Sequence, residues 1–149
     1  MIQMHIRRLS SVDLAEVVAL EKKSGSGWTR EAVSEELDRS LGLQLVAYED
    51  SSGRAIGWCC GLSVGDEAEL LRIAVIQSKR KCGVASVLLA QFEKECIGQE
   101  VSSIFLEVAD KNLAARRLYE KYDYKQVGRR KNYYSRPKDD ALVMNKMLL

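Results

Sequence analysis

The spacing of apolar and polar residues along the 149-residue chain changes repeatedly between the period of a helix and the period of a strand. The first segments with such patterns, one strand and two helices, are residues 3–8, 10–23 and 29–41. Ser10 and Asp13 have the spacing of a capping box, and Thr29 is a favoured N-cap residue. These segments therefore predict a strand followed by two amphipathic helices.

Three further apolar runs predict strands, with turn sequences between them. They are "LQLVAYE", "RAIGWCCGLSV" and "AELLRIAV", at residues 43–49, 54–64 and 68–75. The turn sequences "DSSG" and "GDE" are rich in residues that favour tight turns, so antiparallel hairpins are expected here.

The second half of the chain predicts a strand, a helical crossover and another strand. A helix is expected within residues 76–96, a strand at 102–109 and a helix at 112–122, and residues 124–130 and 141–148 close the sheet as strands. A crossover of more than a dozen residues joins parallel strands. The prediction is an α/β fold with a mixed, twisted sheet of about seven strands and about four helices, in one domain over residues 1–149.

Charge and composition exclude several classes of protein. The formal net charge of +2 is too small to indicate nucleic acid or a membrane surface as a partner. The N-terminal segment lacks the apolar core of a signal peptide, and no apolar run reaches the ~18 residues that span a bilayer. We therefore expect a soluble, cytoplasmic protein.

The cysteine and histidine content does not indicate a metal site. The only histidine is His5, and no C-x-x-C spacing occurs among the four cysteines, Cys59, Cys60, Cys82 and Cys96. Zinc sites and disulfide frameworks need other patterns, so reduced, structural thiols are expected.

One candidate for ligand binding is the sequence "RKCGVAS" (80–86), which lies between a predicted strand and a predicted helix. Backbone N–H groups at a helix start are unpaired and attract phosphate oxygens, and Gly83 permits close approach. The sequence matches neither a Walker loop nor a dinucleotide fingerprint. Taken alone, it is also explained as an ordinary turn.

The second candidate is Glu107, a carboxylate within the apolar strand "IFLEVA". It shares a side of the strand with Phe105 and lies near the C-terminal end, where open α/β sheets bind ligands. A carboxylate paired with an arginine is the alternative interpretation.

The helix after this strand has two predicted faces. One, expected to face a cleft, carries Asn112, Ala115, Arg116 and Tyr119, and the other, expected in the core, carries Leu113, Ala114, Leu118 and Tyr122. Tyr119 is also explained as a half-buried tyrosine with its hydroxyl in water.

Four segments, in their order along the chain, resemble the acetyl-CoA-binding core of the GNAT N-acetyltransferases. They are "LLRIAV", the turn "RKCGVA" of pattern [QR]-x-x-G-x-[GA], "IFLEVA" and "NLAARRLYEKYDY". The tail "RRKNYYSRPKDDALVM" is similar to that of the RimI type, the ribosomal-protein-alanine N-acetyltransferases. The resemblance implies the GNAT fold, acetyl-CoA as co-substrate and no requirement for a metal.

The resemblance also implies roles for individual residues. Glu107 would be the general base and Tyr119 the general acid. Backbone groups of Ile73, Ala74 and Val75 would meet the pantetheine arm and the thioester carbonyl. The remaining coenzyme contacts would come from Lys81, Cys82, Gly83, Val84, Ala85, Ser86 and Asn112.

The implied acceptor is a protein N-terminal α-amino group, in particular the N-terminal alanine of a small-subunit ribosomal protein. Trp28, Tyr133 and Tyr134 would flank the first residues of that protein. Lysine side chains or small amines are alternative acceptors within the same chemistry. Two alternatives of another class are a non-catalytic acyl-CoA sensor and a nucleic-acid contact through "RRKNYYSRPK", although nucleic acid is the weaker partner prediction.

Overall fold

A computed structural model of the chain describes residues 2–24 and 28–148, so that residues 25–27, before Trp28, lie outside it. The described strands are β1 (Met4–Arg8), β2 (Gly42–Glu49), β3 (Ala55–Val64), β4 (Glu67–Val75), β5 (Ser103–Ala109), β6 (Lys125–Ser135) and β7 (Lys138–Met147). The described α-helices are α1 (Leu14–Ser24), α2 (Arg30–Leu37), α3 (Val84–Gly98) and α4 (Leu113–Lys121).

The seven described strands form one sheet in the order β1-β2-β3-β4-β5-β7-β6. Pairing is parallel between β4 and β5 and antiparallel between the other neighbours. The parallel pair is joined by α3, as the length of the crossover predicts. The predicted α/β fold with a mixed sheet and about four helices is confirmed.

The pairing between β4 and β5 is short. It runs from Glu67 with Ser103 to Leu70 with Leu106, whereas β4 continues to Val75. The register between β3 and β4 also shifts at Cys60/Gly61, which marks a bulge in this region. Beyond Leu70, therefore, β4 loses its partner on the β5 side and the sheet is open there.

Helices cover both faces of the sheet. One core cluster lies under α3 and includes Phe92 and Leu106, and a second lies under α1 and α2 and includes Val33 and Trp58. Gly61 is needed where α3 approaches β3, because a Cβ atom there would lie 2.6 Å from the Phe92 ring. Close approach of α3 fixes the position of the turn that precedes it.

The predicted helix caps agree with the structure. The Thr29 hydroxyl accepts a hydrogen bond from the Ala32 N–H at 3.1 Å, and the Asp13 carboxylate accepts one from the Ser10 N–H at 2.8 Å. Residues Ser11–Asp13 form a 3-10 turn, and the α-helix proper begins at Leu14.

Several predicted boundaries were wrong. Helix α2 was expected to continue to residue 41, but it ends at Leu37 because Asp38–Leu41 turn into β2 through a Gly42 N–H to Arg39 C=O bond. Leu41 is consequently exposed. The closing strands β6 and β7 are longer than predicted, since the tract "RRKNYYSRPK" joins the β6–β7 hairpin. Among the helices of the described segments, none has both the length and the apolar character needed to cross a bilayer.

Candidate active site

Glu107 occupies the position on β5 directly after Leu106, where pairing with β4 has ended. Its side chain is 16% exposed, and its Oε1 lies 3.5 Å from Nε of Arg130 on β6. Its Oε2 is buried and has no hydrogen-bond partner in the described part of the chain. The expected arginine contact therefore exists but is long, and it leaves one buried carboxylate oxygen unsatisfied, which is unusual outside functional sites.

Tyr119 on α4 is only 8% exposed, so it is more deeply buried than the half-buried alternative supposed. Burial raises the pKa of its hydroxyl to about 12, although nearby Arg72 acts in the opposite direction. This hydroxyl makes no hydrogen bond to any residue that the structure describes. A phenol in this environment stays protonated at neutral pH and retains a proton to donate.

The predicted faces of α4 were partly wrong. Leu113 is 53% exposed and Ala114 is exposed, although both were assigned to the core. Ala115, assigned to the cleft, packs against the core instead, together with Leu118. The first two residues of the helix are therefore exposed, and contact with the core begins at Ala115.

The two adjacent tyrosines of β6, Tyr133 and Tyr134, lie edge to face with ring centroids 5.1 Å apart. Burial raises the pKa of Tyr134, and the negative charge of nearby Glu107 raises it further. Tyr134 in turn contributes to the raised pKa of Tyr119. These electrostatic interactions indicate that Tyr134 lies near both Glu107 and Tyr119.

Trp28 reaches the same region from the segment before α2. Its ring packs edge to face on Trp58 at 5.7 Å, and the Arg72 guanidinium lies 5.8 Å from the ring centroid. Arg72 is also the cation that acts on the Tyr119 hydroxyl. Arg72 therefore links Trp28 to the region of Tyr119.

Sequence reasoning missed the ion pair that supports Trp28. Arg72 donates two hydrogen bonds to the buried Glu21 carboxylate, at 2.9 and 2.7 Å, and the Trp58 indole donates a third at 2.7 Å. Glu21 shares α1 with the buried residues Val17 and Leu20. The sequence does contain a signal for this ion pair, because Glu21 is a glutamate at a position of α1 where the helical period predicts a core residue.

The basic tract of β6 is held by acidic partners. Arg129 contacts Asp140 at 2.8 Å and Asp110 at 3.2 Å, and Asp140 also accepts the Asn132 N–H at 2.9 Å. This network ties the hairpin that carries the two tyrosines to the end of β5. Arg129 is therefore engaged within the fold, which weakens the nucleic-acid interpretation of the tract.

The turn before α3 has the geometry of an anion site. Gly83 is the N-cap residue with φ of +86°, and Lys81 also has a positive φ of 63°. Lys81, Cys82 and Gly83 are exposed, whereas Val84 is buried and fixes the helix to the sheet. The N–H groups of Val84, Ala85 and Ser86 lie in the first turn of the helix, where no preceding helical carbonyl can accept their hydrogen bonds.

The other residues of the implied coenzyme site border this turn. Ile73, Ala74 and Val75 form the end of β4 beyond its last pair with β5, and the Val75 carbonyl accepts a hydrogen bond from Arg80 Nε at 3.2 Å. Asn112 is the exposed N-cap of α4, and its Oδ1 accepts the Ala115 N–H at 3.2 Å. Its coenzyme contact stays a prediction.

A mixed sheet that opens between two parallel strands, with a helix N-terminus at the opening, defines a class of acetyltransferases. Residues 14–124 match the model of the acetyltransferase (GNAT) family, and the chain belongs to that family. It is accordingly an N-acetyltransferase that uses acetyl-CoA.

Three similar proteins refine this assignment. The [ribosomal protein bS18]-alanine N-acetyltransferase of Haemophilus influenzae is 34% identical over 110 residues, 72% of each chain. The crystal structure of the ribosomal-protein-S18-alanine N-acetyltransferase of Escherichia coli superposes with a TM-score of 0.90 at 25% identity, over 98% of this chain and 94% of that one. An N-acetyltransferase of Thermoplasma acidophilum, solved in complex with coenzyme A, has a TM-score of 0.81 at 22% identity, over 97% and 99%.

Proposed function

We propose that this enzyme acetylates the N-terminal α-amino group of a protein, and that its acceptor is the N-terminal alanine of ribosomal protein bS18. The observation that carries the catalytic part is the unpartnered, buried Oε2 of Glu107 beside the opening of the sheet. The acceptor is inferred from the names of the relatives in Haemophilus influenzae and Escherichia coli. The membership of all seven described strands in one sheet supports a single domain over residues 1–149.

In the proposed mechanism, Glu107 accepts a proton from the acceptor ammonium, directly or through water. Acetyl-CoA supplies an activated thioester. The Val75 N–H donates a hydrogen bond to the carbonyl oxygen as negative charge develops there. Tyr119 donates its proton to the departing sulfur and regains one from the acceptor nitrogen, which loses its second proton as the amide forms. Overall, one C–N bond forms, one C–S bond breaks and one proton is released.

For the coenzyme, we propose that the backbone of Ile73, Ala74 and Val75 binds the pantetheine arm. The supporting observation is that this edge of β4 has no strand partner, so its polar groups are available to a ligand. The pyrophosphate would lie on the turn from Lys81 to Ser86, where Gly83 leaves open space above the backbone. Asn112 would contact the coenzyme from α4.

For the acceptor, we propose that Trp28 lies on one side of the first residues and that Tyr133 and Tyr134 lie on the other. An α-amine suits a carboxylate base because its unperturbed pKa is near 8, against about 10.4 for lysine. At neutral pH the free-base fraction is on the order of a tenth for the α-amine and a thousandth or less for lysine.

Mass spectrometry of one peptide tests the acceptor. The peptide carries a free N-terminal alanine and an internal lysine, and it is incubated with the protein and acetyl-CoA. We expect acetylation at the N-terminus. Acetyl groups mainly on the lysine would refute the α-amine acceptor and leave the acetyltransferase activity intact.

We also infer that the protein works in the cytoplasm. The proposed acceptor, a ribosomal protein, is made and assembled there. The three buried cysteines Cys59, Cys60 and Cys96 are free thiols, as expected in a reducing compartment. Cell fractionation followed by immunoblotting tests this inference, and recovery in the membrane or secreted fraction would contradict it.

A further inference from the structure

Glu69 on β4 is a second carboxylate beside the catalytic opening. The register pairs Glu69 with Phe105, and Phe105 and Glu107 lie on the same face of β5 because they are two residues apart. Glu69 is therefore the diagonal neighbour of Glu107 across the last paired segment of the two strands.

The Glu69 carboxylate forms no ion pair and accepts no hydrogen bond within the described segments. Burial raises its pKa, and the negative charge of Glu107 raises it further, whereas Arg130 and Arg39 oppose the shift. The Arg39 guanidinium already binds Glu36 with two hydrogen bonds, at 2.6 and 3.1 Å. Arg130 is 57% exposed; it makes the long contact to Glu107 and lies 5.2 Å from the centroid of the Tyr133 ring.

The charges at this position are therefore incompletely balanced. Two carboxylates, Glu69 and Glu107, face one arginine, Arg130, that no other described acidic residue binds. The other cation that acts on Glu69, Arg39, is bound to Glu36, and Arg72 is bound to Glu21 in a bidentate pair. One net negative charge remains, which is the complement of a single ammonium group.

A second observation is that polar atoms at this cleft lack partners. The Tyr119 side chain is more than nine-tenths buried, yet its hydroxyl has no partner among the described residues. Tyr134 couples electrostatically to both Tyr119 and Glu107, so the unpartnered hydroxyl and the carboxylates belong to one cleft. Buried polar atoms normally have partners, and in this cleft the buried Oε2 of Glu107 has none in the described part of the chain.

We propose that Glu69 binds the acceptor ammonium together with Glu107 and thereby determines specificity for a cationic amine. This inference rests on the proposed function and adds a residue to it. An ammonium has three N–H donors, so it can donate to both carboxylates at once. Glu107 then takes the proton that must leave, while Glu69 holds the amine in place. Glu69 is a substrate-binding residue in this arrangement, and the general base is Glu107.

Calorimetry with two peptides tests the proposal. The protein is loaded with coenzyme A, which has no acetyl group to transfer. One peptide begins with alanine, and the other has a propionyl group in place of that alanine, so it lacks only the ammonium. We expect wild type to bind the amine peptide more tightly and Glu69→Gln to reduce this preference about tenfold, since a charge-assisted hydrogen bond is lost. Glu69→Asp should keep part of it.

Glu67→Gln is the matched control, because Glu67 is exposed on the same face of the same strand. It should leave the affinity of both peptides unchanged. Equal weakening of both peptides by Glu69→Gln would mean that Glu69 is structural and would overturn the proposal, as would an unchanged preference. If wild type itself does not distinguish the peptides, the α-amine acceptor is wrong as well.

Discussion

Leu70 and Leu106 form the last registered pair between the parallel strands β4 and β5. The proposed base and the proposed thioester contact both lie where this pairing ends. Glu107 follows Leu106 directly, and the free edge of β4 continues from Leu70 to Val75. A sheet interrupted between two parallel strands offers both unpaired backbone groups and a buried carboxylate to a ligand.

Glu107→Gln should lower kcat by roughly 10²–10⁴-fold, the contribution of a general base, while acetyl-CoA still binds. Part of the rate should return at about pH 9, because the α-amine is then largely deprotonated without help. Steady-state kinetics with calorimetry for acetyl-CoA measures both. Near-wild-type turnover in the variant at neutral pH would remove Glu107 from the mechanism.

Tyr119→Phe should lower kcat by roughly 10²-fold, because the departing sulfur loses its proton donor. The KM for acetyl-CoA should change little, since the ring and its packing on Tyr124 remain. Tyr122→Phe, at the end of the same helix, is the control and should retain wild-type turnover. A kcat that is unaffected by Tyr119→Phe would exclude Tyr119 as the acid.

Tyr119 should also make the free energy of unfolding depend on pH. Its pKa is about 12 in the folded protein and about 10 when unfolded. Below pH 10 both states are protonated. Between pH 10 and pH 12 only the unfolded state loses the proton, so stability falls. From pH 9 to pH 12, wild type should lose roughly 2 kcal/mol more than Tyr119→Phe. Urea denaturation across this range measures the difference, and equal losses in both proteins would contradict it.

Gly83→Val should weaken coenzyme binding much more than Lys81→Ala. A β-branched residue is strained at φ of +86°, so the N–H groups of the turn would move away from the pyrophosphate. Lys81→Ala removes only one flexible, exposed charge. Calorimetry with coenzyme A on both variants gives the order. A greater loss for Lys81→Ala would mean that side-chain charge, and not the helix terminus, binds the phosphates.

Arg72→Met should destabilise the fold by about 3 kcal/mol, because it leaves the buried Glu21 carboxylate without its cation. Arg8→Met removes an exposed ion pair with Glu95 at 2.9 Å and should cost about 1 kcal/mol or less. Chemical denaturation of the two variants compares a buried pair with an exposed one. Equal costs would show that the Trp58 indole and other donors suffice to hold Glu21.

The sequence by itself determined the order of helices and strands, the parallel crossover and the helix starts at Ser10 and Thr29. These features depend on residues close together in the chain, where periodicity and capping act directly. The same local patterns singled out Glu107 as a carboxylate in a buried strand and the turn around Gly83 as a helix start.

Only the tertiary structure decided which of these residues meet and where pairing stops. The end of the β4–β5 ladder at Leu70, the exposure of Leu113 and the pairing of Arg72 with Glu21 arise from contacts between residues far apart in sequence. The position of Glu69 beside Glu107 is of the same kind, since it depends on the register of two strands joined by a long helix. Register and packing are set by the whole hydrophobic core, and no short segment of the chain contains that information.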